Sequence, residues 1–124
     1  MESSLHGLEV SSENVDCCGL VTLKGEVDVA NAPLVRSHIE VLTSMSTKHL
    51  VIDCAELNFI DSSGLHILEH ARQGVEGNLA LVRQRKPVQR LFEIVGLSSE
   101  FPGFDTVEEA REYLHRGGKR QFIA

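Results

Sequence analysis

Between residues 19 and 95 the chain switches repeatedly between the hydrophobic period of a strand and that of a helix, which leaves few folds open. Gly19-Leu20-Val21-Thr22-Leu23-Lys24-Gly25 is β-rich and bounded by glycines, and predicts a strand. A weaker strand around Leu8 to Ser12 precedes it, joined through a hairpin at Asn14-Val15-Asp16-Cys17-Cys18. The period then lengthens. Asn31 is placed as an N-cap, Pro33 falls in the first turn, and Val35, Ile39, Leu42 and Met45 form one stripe, predicting a helix over about 32–46. His49-Leu50-Val51-Ile52-Asp53-Cys54 is a short apolar run suited to a buried central strand, and Leu57, Phe59 and Ile60 carry apolar content on to Asp61.

Gly64 to Arg72 predicts a second helix, with Leu65, Leu68 and Ala71 on one face and Gly74 beyond its end. Asn78 to Arg83 predicts a strand around Leu79-Ala80-Leu81-Val82. Pro87 opens a short helix through Val95, with Leu91, Phe92 and Val95 apolar and Gly96 as its C-terminal glycine. Thr106-Val107-Glu108-Glu109 has the form of a capping box and starts a last helix to about His115. A frayed basic tail is expected over 116–124.

Strands alternating with helices after an opening hairpin imply an α/β fold: a mostly parallel, mixed sheet of about four strands packed by about four helices. One domain accounts for residues 1–124, with its core over about 7–115. A chain this long buries roughly two-thirds of its unfolded surface and needs no metal or disulfide staple. Twelve Lys and Arg against 18 Asp and Glu give a net charge of −6. An acidic chain without a basic stripe is poorly suited to nucleic acid or to an anionic membrane surface, so a protein or a small ligand is the expected partner. With no signal-like N-terminus and no long apolar run, a cytoplasmic location is expected. Cys17, Cys18 and Cys54 form no CxxC pair and read as packing or loop residues.

Two patterns suggest enzymes. His66-Ile67-Leu68-Glu69-His70 matches the H-x-x-E-H pattern of inverted zinc peptidases, with both histidines one helical turn apart. No third ligand motif accompanies it, and the expectation is two solvent-facing histidines, no metal and no cofactor. Asp61, Ser62 and His66 are close in sequence, but a nucleophile elbow needs glycines flanking the serine, and Ile60-Asp61 stands before Ser62. The chain is therefore expected not to be an enzyme.

The remaining candidate is the turn Asp61-Ser62-Ser63-Gly64, delivered by an apolar strand to a helix start at the carboxyl edge of the sheet. One reading is an ordinary cap, in which a serine hydroxyl takes an orphan N–H and Gly64 permits the tight turn. The other is a working site, where an exposed serine at a helix start suits phosphate. Asn58-Phe59-Ile60-Asp61-Ser62-Ser63-Gly64-Leu65 resembles the signature of STAS domains, specifically bacterial anti-sigma factor antagonists. Leu23-Lys24-Gly25-Glu26-Val27-Asp28, the 87–97 segment and Phe104-Asp105-Thr106-Val107-Glu108-Glu109-Ala110 resemble further parts of that family, in order, from about Gly7 to Leu114.

The resemblance implies a partner switch. The unphosphorylated protein binds an anti-sigma factor, an ATP-binding serine kinase, and so releases a sigma factor for transcription. The kinase phosphorylates Ser62 and the complex breaks; a phosphatase resets it. Asp61, Ser63, Gly64, Glu26 and Asp28 match positions on or near the docking face, the ATP belongs to the partner, and the free protein is expected to be a monomer. A STAS subunit scaffolding a stress-signalling complex or a lipid-transport ATPase is the alternative within the same fold. His66 stands where the family usually has a small residue.

Overall fold

The computed structural model describes residues 1–118, so residues 119–124 of the tail expected over 116–124 lie outside the described residues. Six strands and four helices follow one another as β1 (Glu2–Leu5), β2 (Leu8–Val15), β3 (Cys18–Val27), α1 (Ala32–Ser44), β4 (His49–Ile60), α2 (Ser62–Gly74), β5 (Leu79–Val82), α3 (Lys86–Ile94), β6 (Gly103–Phe104) and α4 (Val107–His115). The sheet has six strands rather than about four. β1 is short and polar, and β6 is only two residues long, so neither carries an apolar run. None of the described helices is long and apolar enough to cross a membrane.

The strands lie in their sequence order, β1 to β6. β1, β2 and β3 pair antiparallel, while β3, β4, β5 and β6 pair parallel. Both hairpins close through two-residue turns with positive φ, His6-Gly7 at 42° and 82° and Asp16-Cys17 at 52° and 65°. Such turns match the right-handed twist of the strands they join. Right-handed crossovers along a monotonic sheet put successive helices on one face. Accordingly α1, α2 and α3 share a core with Leu50, Ile52, Leu79 and Leu81, while α4 packs Ala110 and Leu114 on Val51, Ala80 and Val82 behind. β4 and β5 are buried on both faces where helices cover them, which is why their sequences are continuously apolar. Asp53, the buried charge in β4, is paired with Arg83.

Three local expectations change. Met45 caps α1 and is exposed, and His38 takes the inward position instead. Val95 follows the last turn of α3 and is exposed, while Val88 and Phe92 fill the core. Gly74 is the last residue of α2; the left-handed position after the helix is held by Glu76, with Gly77 N–H bonded back to Arg72 O at 2.8 Å. The capping box is present in altered form. Thr106 Oγ1 accepts from Glu109 N–H and its hydroxyl donates to the Glu109 carboxylate, each at 3.1 Å.

His38 is fully buried between Ser12 Oγ (2.7 Å from Nδ1) and Ser3 Oγ (3.1 Å from Nε2), tying α1 to both strands of the first hairpin. Burial, with a smaller push from the amino-terminal charge, lowers its pKa below the usual imidazole value. The unfolded chain therefore takes up this proton before the folded one does. Its contribution is complete above about pH 6.5 and is lost as pH falls through the folded pKa, by at most about 1.4 kcal/mol per pH unit. Chemical denaturation between pH 7.5 and 5 is expected to show that loss, and His38→Gln to flatten it.

Candidate functional site

Asp61 is the junction between β4 and α2. Its N–H donates to Val27 O at 3.0 Å and its carbonyl accepts from Leu65 N–H at 3.0 Å. Its backbone is extended, and its Oδ1 accepts from Ser63 N–H at 2.9 Å and Gly64 N–H at 3.2 Å. The cap is thus the aspartate and not a serine, and α2 begins at Ser62 rather than Gly64. A carboxylate there also meets the positive end of the helix dipole. Two of the four orphan N–H groups of the helix start are consumed by it.

Ser62 is consequently released from capping. It is exposed, and its hydroxyl makes no hydrogen bond among the described residues. Ser63 is half-buried and Gly64 buried. Gly64 is helical and needs no positive φ; what it needs is the absence of a side chain. A Cβ there would stand 2.5 Å from Ile60 Cγ1 and 2.7 Å from Val27 Cγ1, so the glycine lets α2 start hard against the ends of β3 and β4.

Glu26 and Asp28 arrive beside this turn from the end of β3. Glu26 pairs with Phe59 and Val27 with Ile60 across the β3–β4 ladder, after two register shifts that each leave an extra residue on β4. Gly25, at φ 111°, precedes them; a Cβ on it would lie 2.2 Å from Gly7 O. Asp28 Oδ1 accepts from Ala30 N–H at 2.9 Å, which folds the segment into α1. Asn31 stands where the sequence placed it, but its side chain has a different task. It sits at the N-cap position but makes no cap bond. Fully buried, its Oδ1 accepts from Asp28 N–H and its Nδ2 donates to His6 O and Glu26 O, all at 2.9 Å. A buried amide with three bonds holds the Glu26–Asp28 rim rigid. A capping asparagine and a clamping one look alike in sequence.

At the same end of the fold, Phe59 is 50% and Val29 75% exposed, two apolar side chains beside three acidic residues. Between the starts of α1 and α2 lies an open groove of about 520 Å³ bordered by Val29, Pro33, Arg36, Ser62, His66 and Ile67.

The two enzyme patterns do not assemble. His66 and His70 are exposed, as expected, and Glu69 is bonded to Arg72 at 2.9 Å. No group of three His, Cys, Asp or Glu side chains suited to a metal ion occurs among the described residues. No bond joins Ser62 to His66 or Asp61 to His66, and Asp61 Oδ1 is committed to the helix start. Cys17 is an exposed turn residue, while Cys18 and Cys54 are buried; burial raises the pKa of both, that of Cys54 to about 12.

The sequence matches the STAS domain over residues 9–110. The chain belongs to the STAS domain family. It is 31% identical over 101 residues to the anti-sigma-B factor antagonist of Listeria monocytogenes, covering 79% of this chain and 85% of that protein. It is 28% identical over 102 residues to the anti-sigma F factor antagonist of Paenibacillus polymyxa, covering 79% and 87%. Among solved structures it is similar to an anti-sigma factor antagonist from Mycobacterium paratuberculosis, with 27% identity, a TM-score of 0.77, and coverage of 87% of this chain and 94% of that one. These STAS relatives share the length of this domain, not only a fragment of it.

Proposed function

We propose that this STAS domain is an anti-sigma factor antagonist, switched by phosphorylation of Ser62. The observation that carries the reading is the division of labour at the α2 start. Asp61 does the capping, Gly64 the close packing, and Ser62 is left exposed with an unengaged hydroxyl on a rigid turn. A residue needed only as a cap has no reason to be left free. The names of the relatives support the same role.

The partner is an anti-sigma factor that is itself an ATP-dependent serine kinase. Its docking surface spans Asp61, Ser62 and Ser63 with Glu26 and Asp28 as an acidic rim, Phe59 and Val29 supplying apolar anchors. Gly64 serves that surface from beneath. In the transfer step Ser62 Oγ bonds to the γ-phosphorus of the kinase's ATP, the bond to the β,γ-bridging oxygen breaks, and ADP leaves. The hydroxyl proton goes to a base from the partner, since neither Asp61 nor His66 is hydrogen-bonded to Ser62. A phosphatase then restores the hydroxyl. The free protein is a monomer in the cytoplasm and binds no nucleotide of its own.

Incubation with the cognate anti-sigma factor and ATP tests this. One phosphate per chain is expected on Ser62, with Ser62→Ala abolishing labelling and still binding the kinase. Full labelling of Ser62→Ala at Ser63 overturns the assignment.

A further inference from the structure

The groove beside Ser62 contains the means of holding the phosphate once it is attached. The helix start offers less to an anion than a bare one, because Asp61 Oδ1 already occupies the N–H groups of Ser63 and Gly64. Asp61 also adds a negative charge next to the phosphorylated position. A dianion on Ser62 therefore needs a counter-charge from elsewhere, and the walls of the groove supply one. Arg36 projects from the second turn of α1 on the opposite side, and His66 lies one turn beyond Ser62 on α2. Among the described residues they are the only basic side chains lining that groove, and no acidic side chain lines it.

Arg36 is exposed and makes no ion pair among the described residues, not even with Glu40 one turn along its own helix. By contrast, Arg72, Arg83, Arg111 and Arg116 each have a carboxylate partner. An unengaged guanidinium lining the same open groove as a modifiable hydroxyl suits a phosphoserine. Guanidinium forks bind phosphate oxygens bidentately, whereas hydroxyl oxygen gives them little.

We infer that Arg36 bridges the groove to the phosphate of phosphorylated Ser62, with His66 as a second contact, so that the modified domain closes the groove between the starts of α1 and α2. The inference rests on Ser62 being the modified residue. Phosphorylation then does two things at once: it adds charge to the surface the partner must meet, and it draws α1's arginine across the groove. The groups governing the phosphate's charge are Arg36 from α1, His66 and Asp61 from the α2 start, and Glu26 and Asp28 from the β3–α1 segment. The arginine and a protonated histidine favour the dianion; the three carboxylates oppose it.

The test uses the full chain with phosphoserine installed at position 62 during translation, so that no kinase is required. Titration by ³¹P NMR is expected to place the second phosphate pKa of this protein below that of its Arg36→Gln variant by about half a pH unit or more, since an adjacent cation favours the dianion. Arg36→Lys is expected to recover part of the difference, and His66→Gln to show a smaller loss. Arg36 is exposed, so the unphosphorylated variants are expected to unfold at the wild-type temperature, which separates the effect from misfolding. A phosphate pKa that is the same in wild type and Arg36→Gln overturns the bridge. Absence of kinase labelling at Ser62 overturns the proposed function instead, and leaves the NMR comparison to decide the bridge separately.

Discussion

Phosphoserine at position 62 is expected to weaken the complex with the anti-sigma factor at least about tenfold while leaving the stability of the free domain within roughly 1 kcal/mol. The two effects separate because of where the residue sits. Inside the domain the hydroxyl bonds to nothing, so modifying it breaks no native contact. The added charge of about −1.5 to −2 is repelled by Asp61 and attracted by the helix dipole and Arg36, and exposed pairs of this kind are worth only about 0–1 kcal/mol each. At the interface no such balance exists. Unit charges 4 Å apart at an effective dielectric of 20 interact by about 4 kcal/mol. Even halved by screening, roughly 2 kcal/mol exceeds the 1.4 kcal/mol that makes a tenfold change in affinity. Denaturant unfolding of both forms, with titration calorimetry against the partner, measures the two quantities separately. A large stability loss, or amide shifts spread well beyond the Ser62 turn, would mean that the switch works by rearranging the fold.

Gly64→Ala is expected to destabilise the domain by about 1–3 kcal/mol, against the usual sign of that substitution. Within an exposed helix the exchange gains about 1 kcal/mol from backbone entropy. At Gly64 the new methyl would overlap Ile60 and Val27, both fully buried and β-branched, so neither can swing aside without moving a strand end. α2 must back away from the sheet, and Ser62 and Ser63 move with it, so partner affinity should fall as well. Gly74→Ala on the same helix is the internal control. A Cβ there meets nothing within 4 Å, and the substitution should be neutral or stabilising by up to about 1 kcal/mol. Thermal melts of the two variants decide the matter: opposite signs are expected, and equal shifts would remove Gly64 from the packing role.

The elements with strong period were legible in the sequence, and so was the turn. α1, α2 and α3 carry helical apolar stripes, β4 and β5 short apolar runs and α4 a capping box, and all six formed close to their expected positions. β1 and β6 were not legible because their stability comes from neighbours: β1 is a polar edge held by β2, and β6 is two residues beside Leu81 and Val82. The extension of β4 through Ile60 was visible only as apolar content, since two extra residues on β4, between Asp53 and Phe59, break its register with β3 and with it the alternation that marks a strand. At the site, the resemblance identified the residues but not their separate tasks. Which of three small polar residues caps a helix is decided by backbone direction, and Asp61 has the extended backbone that aims its carboxylate at the N–H groups. Arg36 was invisible for a similar reason: it is 26 positions from Ser62 in sequence and a groove's width away in space.

The monotonic order of the sheet bears on how the chain acquires its shape during synthesis. Every strand pairs with one that precedes or follows it directly, so no strand has to wait for a distant segment to emerge from the ribosome. The amino-terminal hairpins can form first, β4 can dock on β3 as soon as α1 has been made, and each later helix and strand adds to an edge already in place. Asp61 meets Val27, and Asn31 meets His6 and Glu26, within that early portion. The surface offered to a partner can thus be assembled while the last third of the polypeptide is still being translated, and α4 seals the opposite side at the end.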